Sequence, residues 1–414
     1  MTKLAMRKSD IINPDIHMYR IKIDNSPGIL YKVLRRLNKL KIDYSNIESS
    51  FVMNEPEKIN IDLFFKSRKR NMDTDYLNST LADLSAEAAE LKEPLLPNFP
   101  IKLSELDDMS IELQSPGDGL NEDHPGFKDA EYKKRRDQIA KSSIGYKMLE
   151  PIPRIDYTPQ ETELWHKIYT ALRPKLFEHG CEPYVKNLEL LESEKIFSPD
   201  MIPQLDDINN YLQKKTNWRI KPVNGILSQR EYLNCLAFRT FPSTQYLRHH
   251  TKPFYTPEPD IVHEFIGHVP NFSDPTFCEI SQKIGILSLG ASDRLVKLIG
   301  AVYWFTIEFG LCKENNKMKF YGAGVASSLD EIENYLNCDK IYKLDLEKDY
   351  PPVDFVVQDV QPFYYYIEKF DEYRDQLSLL DSQINKLFKY NFDRKSEHMH
   401  IDRRIRVYKE HHQQ

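Results

Sequence analysis

The stretch HEFIGHVP, residues 263–270, decides how this chain is read. Its two histidines, His263 and His268, stand five positions apart. In an α-helix each residue turns ~100°, so residues four apart share a face, whereas residues five apart lie ~140° from one another. The zinc-protease pattern, with two histidines four apart on one helix, is therefore not met. Gly267 and Pro270 suggest another route: a helix that stops near Gly267 swings His268 back towards His263. Two imidazoles leave a divalent ion underligated. Downstream, Glu308 lies inside the apolar run AVYWFTIEFGLC (301–312). A carboxylate there is costly to bury unless it meets a cation or a metal. Two neutral imidazoles and one carboxylate form the facial triad that holds non-haem Fe(II) and leaves positions open for oxygen and a co-substrate. The competing reading is a pair of core histidines with a glutamate neutralised by an arginine.

Other unusual residues surround this stretch. Glu264, beside the first imidazole, is placed to accept from a co-substrate or a water. Arg248, in TQYLRHH, can clamp a carboxylate with two parallel N–H bonds, or it can be an ordinary ion-paired arginine; Asp260 is its natural partner in either case. TPEPDIVHE reads as a loop fixed by Pro257 and Pro259 and followed by the helix that carries His263. The aromatics Tyr232, Phe241, Tyr246, Phe254, Tyr303, Trp304, Phe305 and Phe309 are mostly core, but a pocket for a flat ring must be lined by some of them. YGAGVASS (321–328) reads as a flexible, glycine-bearing turn ending in two hydroxyls.

The 414 residues, 40% hydrophobic and 12% aromatic, suffice for one large core and a smaller domain. A net charge of −6 with interspersed signs argues against nucleic acid and for a small-molecule or protein partner. The five cysteines are scattered and never form a C-x-x-C pair, which argues for free thiols in a reducing compartment. No signal-peptide core is visible at the N-terminus. LIGAVYWFTI (298–307) is half the ~20 residues that span a bilayer, so no membrane partner and a cytoplasmic location are expected.

The chain divides by pattern. A short tail (1–15) precedes a unit at 16–95, in which IHMYRIKI alternates, Pro27-Gly28 breaks the run, and LYKVLRRLNKL is periodic as a helix. Two further strands follow, IDYSNIESSF and KINIDLFFK, and then YLNSTLADLSAEAAELK as a second helix with room for a last short strand. This order predicts an α+β ferredoxin-like domain. KEPLLPNFP (92–100) reads as a linker. Residues 96–388 are mainly helical, and 389–414 hold one candidate hairpin and a charged end.

TPEPDIVHEFIGHVPNFSDPTF (256–277), YWFTIEFGLC and YGAG resemble the pterin-dependent aromatic amino acid hydroxylases, as do DHPGFKD (123–129), IPQLDDI (202–208) and PVNGILSQREYLNCLAFRTFPSTQYLRH (222–249). The resemblance implies a mainly α catalytic domain of the aromatic amino acid hydroxylase fold behind an N-terminal α+β ferredoxin-like ACT regulatory domain. It implies Fe(II) on His263, His268 and Glu308, a tetrahydrobiopterin or related tetrahydropterin cofactor, and O2 as co-substrate. Gly225, Ile226, Leu227, Tyr232, Glu264 and Tyr303 fall on the pterin positions. Arg248, Thr256, Asp260, Trp304, Ser327 and Val357 fall on the substrate positions. Gly28, Ile29, Leu30, Ile47, Glu48 and Ser49 fall on candidate regulatory contacts.

Trp304 matches members acting on phenylalanine or tyrosine, and Val357 stands where the tyrosine-acting members carry Asp. L-phenylalanine is thus the expected substrate and a possible allosteric ligand, since an apolar floor offers a phenol hydroxyl no partner. Tryptophan is the rival substrate; a zinc hydrolase and a non-catalytic amino-acid sensor are the rivals from other classes. Three departures stand out. Pro242 replaces a usual histidine or glutamine near the pterin, and Gln229 replaces a small serine. No apolar heptads follow VYKEHHQQ, which leaves a homo-oligomer, dimer or tetramer, without the coiled-coil route. Ser9, behind Arg7-Lys8, is a weak phosphorylation candidate.

Overall fold

The computed structural model describes residues 4–408 except 6–15, 40–43, 53–54, 67–73, 85, 91–94, 109–119, 121, 123, 257, 349, 357–358, 385–387 and 403–404. Ser9, Pro257 and Val357 lie outside the described residues. The chain forms two compact units, Met1–Ile101 with Lys386–Gln414, and Lys102–Asn385.

In the first unit the order is strand Ile16–Asp24, helix Ile29–Lys39, strands Tyr44–Val52 and Glu55–Lys66, helix Thr74–Leu81, and strand Glu87–Glu90. The strands pair antiparallel with Ile16–Asp24 between Glu55–Lys66 and Glu87–Glu90, and with Tyr44–Val52 at the far edge. This is the ferredoxin-like β-α-β-β-α-β arrangement. Alternation sets the register: Tyr19, Ile21 and Ile23 are buried on one face opposite Leu63, Ile61 and Ile59, under Val33, Leu37, Leu77 and Leu81 of the helices. The second helix is shorter than expected. EAAE, helical by composition, is an edge strand, because Ala86 and Ala88 are small enough to be buried and the Asn78 side chain grips Ala88, accepting from its N–H at 2.6 Å and donating to its carbonyl at 3.3 Å. Part of the expected linker, Leu95–Pro97, is a strand that pairs parallel with Arg406–Tyr408, and the tail holds the antiparallel hairpin Tyr390–Asp393/His398–Ile401.

The second unit is mainly helical. Pro159–His179 begins with a capping box from Thr158 and Glu161. It packs with Glu182–Ser193, Leu205–Thr216, Gln229–Ala237, Pro275–Ser288, Asp293–Tyr303, Leu329–Asn337 and Phe370–Gln383 around one large core. A four-stranded sheet flanks them. Its hairpin Leu311–Glu314/Lys317–Phe320 turns on Asn315 and Asn316, both at positive φ, the pair a tight two-residue turn demands. The parallel pair Arg219–Pro222/Thr240–Ser243 feeds the chain into residues 223–228 at the edge of the main cavity.

Candidate active site

The helix carrying HEFIGHVP does not stop at Gly267. It widens: Val262–His268 is a π-helical turn that continues into Val269–Phe272. Hydrogen bonding from i to i+5 adds a residue to the turn and stacks His268 over His263, which corrects the expected helix break. Pro270 has no N–H for the Ile266 carbonyl, and Tyr184 Oη donates to that carbonyl instead at 2.6 Å. Gly267 serves close approach rather than chain reversal, since a Cβ there would stand 2.7 Å from the Ala323 carbonyl oxygen. The helix Asp293–Tyr303 likewise runs into a π turn, Trp304–Glu308, in which Phe309 N donates to the Trp304 carbonyl at 3.0 Å. Two widened turns thus deliver the three donors.

Those donors converge. His263 Nε2 and His268 Nε2 lie 3.1 Å apart, and the two Glu308 oxygens stand 3.3 and 3.2 Å from them. An ion held ~2.1 Å from each donor sets edges of about 3.0 Å on an octahedral face, so the triangle fits a facially bound divalent metal. Burial pushes the Glu308 carboxyl up, but the charges and hydrogen bonds of His268 and His263 outweigh it and hold the group well below the usual range. Burial pushes His268 down, towards the neutral imidazole a metal needs. His263 Nδ1 lies 3.1 Å from Ser327 Oγ, which leaves Nε2 to face the cluster. Ser327 sits just past the buried one-turn helix Ala323–Ala326, so YGAGVASS is a packed element and not the flexible turn expected. Phe241 and Phe272 pack against the His268 ring with centroids 4.8 and 5.9 Å away.

A cavity of about 350 Å³ opens from this cluster. Gly225, Ile226, Leu227, Tyr232, Glu264 and Tyr303 line it, as do Arg248, Thr256, Trp304 and Ser327. Asp260 stands behind Arg248, and its Oδ2 and Oδ1 accept from the guanidinium Nε and Nη2 at 2.9 and 2.7 Å. The pair is almost fully buried. Arg248 Nη1 donates to the Ser327 carbonyl at 3.1 Å, tying the guanidinium to the segment that holds His263. Burial raises the Glu264 carboxyl to about 8 despite His263 and the Thr244 N–H, which donates to it at 3.1 Å. The Tyr232 and Tyr303 hydroxyls are 2.5 Å apart, and the rings meet edge to face. Thr256 Oγ1 is buried with no hydrogen-bond partner among the described residues.

The sequence profile of the biopterin-dependent aromatic amino acid hydroxylases matches residues 97–414. The chain belongs to this family. Among curated relatives it is 40% identical to phenylalanine-4-hydroxylase of Dictyostelium discoideum over 374 residues, 88% of this chain and 84% of the relative. It is 39% identical to the Homo sapiens phenylalanine-4-hydroxylase over 373 residues, 88% and 82% of the two chains. Tyrosine 3-monooxygenase of Mus musculus is 40% identical over 320 residues, 77% and 64%. Among solved structures, a phenylalanine hydroxylase from Legionella pneumophila superposes with a TM-score of 0.50 at 27% identity, covering 54% of this chain and 87% of that one. One from Chromobacterium violaceum with bound oxidised Fe(III) gives 0.50 at 26%, covering 56% and 85%.

The hydroxylase's cavity has walls that the motifs did not reveal. Phe355 stacks on Trp304 with centroids 4.5 Å apart and planes at 17°. Trp304 Nε1 donates to Gln361 Oε1 at 3.1 Å, while the Gln361 N–H donates to Glu331 Oε1 at 2.9 Å. Glu331, also bonded by Tyr364 Oη, is buried in the cavity wall, and burial raises its carboxyl to about 7. In the sequence, S-x-x-E at 328–331 reads as a capping box. Ser328 Oγ does cap the Glu331 N–H, but the glutamate side chain turns inward.

In the other unit Gly28, Ile29 and Leu30 line a small concavity with Asn25 and Ile59, and Gly28 is at positive φ. Ile47 and Ser49, on strand Tyr44–Val52, are not part of that lining; the Glu48 side chain lies outside the described residues.

Proposed function

We propose that this hydroxylase converts L-phenylalanine to L-tyrosine, with a tetrahydropterin as reductant, O2 as co-substrate and ferrous iron on His263, His268 and Glu308. The observation that carries this reading is the buried donor triangle, open on one side to a cavity that holds both a fixed guanidinium and an aromatic wall. When bound, the iron and the reduced pterin supply the redox chemistry that splits O2, one atom going to the ring and one to the pterin.

The chain's own residues position and shield. Arg248, locked by Asp260, meets the substrate carboxylate, with Thr256 beside it as an unspent hydroxyl. The phenyl ring lies against Trp304 and its Phe355 stack, an apolar surface that gives a phenol no partner, with Val357 as part of the same specificity set. Tyr232, backed by Tyr303, would hold the pterin ring, together with the backbone of Gly225, Ile226 and Leu227 in the same cavity wall. Glu264, which accepts from the Thr244 N–H, lines the cavity as a polar partner for the pterin or for a water. Ser327 orients His263.

The N-terminal unit is an ACT regulatory domain that binds phenylalanine as an allosteric ligand, the Gly28–Leu30 concavity and the separate Ile47-Glu48-Ser49 stretch being its candidate contacts; the chain works as a cytoplasmic homo-oligomer. The test is product analysis with phenylalanine and tryptophan at equal concentration, a tetrahydropterin and ferrous iron. Tyrosine as the dominant product supports the reading. Hydroxytryptophan in excess, or no pterin-dependent product, rejects it.

A further inference from the structure

We infer that Asp129, His249 and His250 form a second metal site, for a divalent ion of the zinc type, at the wall of a cavity separate from the catalytic one. TQYLRHH ends in two consecutive histidines, which the catalytic centre does not use. In extended backbone consecutive side chains point to opposite faces, so such a pair seldom shares an ion. Here the chain turns: Lys252 N donates to the His249 carbonyl at 3.1 Å, and the two imidazole rings come together with centroids 4.3 Å apart and planes at 36°. Asp129 meets them from the start of the helix Ala130–Lys141, and one donor atom from each of the three residues lies within 4.8 Å of the other two.

Two of the three donors are already held in place. Asp129 divides its oxygens: Oδ1 accepts from the Tyr132 N–H at 2.9 Å and caps the helix, while Oδ2 faces His249 Nε2 at 3.2 Å. A tetrahedral zinc with donors about 2.0 Å away sets edges of about 3.3 Å, so an ion can replace the proton between them. The His249 ring is buried, with the Tyr132 ring edge-on to it at 4.9 Å. Thr251 Oγ1 lies 2.8 Å from its Nδ1 and can accept that proton, which leaves Nε2 for the ion. Burial also pushes the His249 imidazole down, towards the neutral form that binds metal. His250 is exposed and closes on the ion by side-chain rotation.

The donor set decides the ion. Two imidazoles and one carboxylate suit zinc better than calcium or magnesium, which prefer oxygen alone, and no thiolate is present to favour a softer metal. Three protein donors leave a fourth position for water. Asp129 and His250 line a cavity of about 580 Å³ together with Tyr132 and Arg248, which gives that water room. An ion there would tie the start of the helix Ala130–Lys141 to the turn that follows Arg248.

The test is equilibrium dialysis of the full-length enzyme against Zn2+, which also occupies the catalytic donors, followed by metal analysis. Wild type should hold about two zinc ions per chain, one for each donor set. His250→Gln should weaken one of them by at least about tenfold and leave the other unchanged. Asp129→Ser, which keeps a helix-capping oxygen and removes the carboxylate, should do the same. Glu308→Gln should lose the other ion and retain this one. A wild type that holds a single zinc lost in Glu308→Gln, or a His250→Gln or Asp129→Ser protein that binds both ions as wild type does, overturns the inference and leaves the catalytic centre standing. A single zinc lost in His250→Gln and kept in Glu308→Gln supports the inference and tells against the catalytic centre instead.

Discussion

Replacing Asp260 by asparagine removes a charge without changing shape, and the structure says what should follow. The Asp260 carboxylate accepts four N–H groups: Arg248 N at 2.8 Å, Arg248 Nε at 2.9 Å, Arg248 Nη2 at 2.7 Å and His263 N at 3.1 Å. An asparagine has one acceptor oxygen, so two of the four donors then face an NH2 group. The Arg248 guanidinium, 2% exposed, loses the carboxylate that ion-pairs with it. Hydrogen bonds to charged groups contribute roughly 1.5–3 kcal/mol each, and breaking a buried pair costs roughly 3–5 kcal/mol. The expected loss of stability is therefore about 3–5 kcal/mol, read as a lower urea midpoint. With the guanidinium no longer fixed, KM for phenylalanine should rise at least about tenfold, the effect of 1.4 kcal/mol, while the pterin KM moves little. Steady-state kinetics varying each substrate separately checks this. An unchanged phenylalanine KM together with an unchanged urea midpoint would refute the idea that Asp260 presents Arg248.

Three further outcomes follow from other parts of the molecule. Burial pushes the Glu258 carboxyl up, but His124 and the Arg136 guanidinium, 2.9 and 2.5 Å away, hold it at about 2, below its ordinary 4.5. A depressed pKa means stability present above 4.5 and lost as pH falls towards 2, about 3 kcal/mol in all; the advantage of wild type over Glu258→Gln in urea unfolding should shrink across that window and stay flat above it. Gly267→Ala drives a Cβ to 2.7 Å from the Ala323 carbonyl and 2.9 Å from its Cβ, backbone that cannot swing aside, so stability should fall by about 1–3 kcal/mol and iron retention should weaken as Ser327 moves off His263, as calorimetry and metal analysis would show. Gln361→Leu leaves Trp304 Nε1 without its acceptor and should loosen the indole against Phe355, shifting tryptophan fluorescence and lowering the preference for phenylalanine over tryptophan by about 3- to 10-fold in competition assays.

The sequence carried the elements built on regular periods. Strand Ile16–Asp24 and helix Ile29–Lys39 show their buried faces in the text, as do Leu205–Thr216 and the amphipathic Leu329–Asn337. It also marked His263, His268 and Glu308, because histidine and glutamate inside apolar runs are costly without a partner. It hid the geometry that joins them. A π turn has no sequence period of its own, so Gly267 and Pro270 read as a helix break where they permit close packing and free a carbonyl for Tyr184. EAAE read as helix because composition cannot see that Ala88 is claimed by Asn78. Glu331 and Gln361 stayed hidden because a surface-like S-x-x-E pattern and an isolated glutamine give no sign of burial; only tertiary contact turns them towards Trp304.

In the proposed centre three side chains hold one ferrous ion, and iron stoichiometry tests that directly. Wild type reconstituted anaerobically with Fe(II) and freed of loose metal should retain about one iron per chain, the facial triad being a single-ion site. Glu308→Gln, which removes the carboxylate that faces both imidazoles, should retain almost none under the same conditions. A Glu308→Gln protein that keeps a full equivalent of iron and undiminished pterin-dependent tyrosine formation would contradict the central claim.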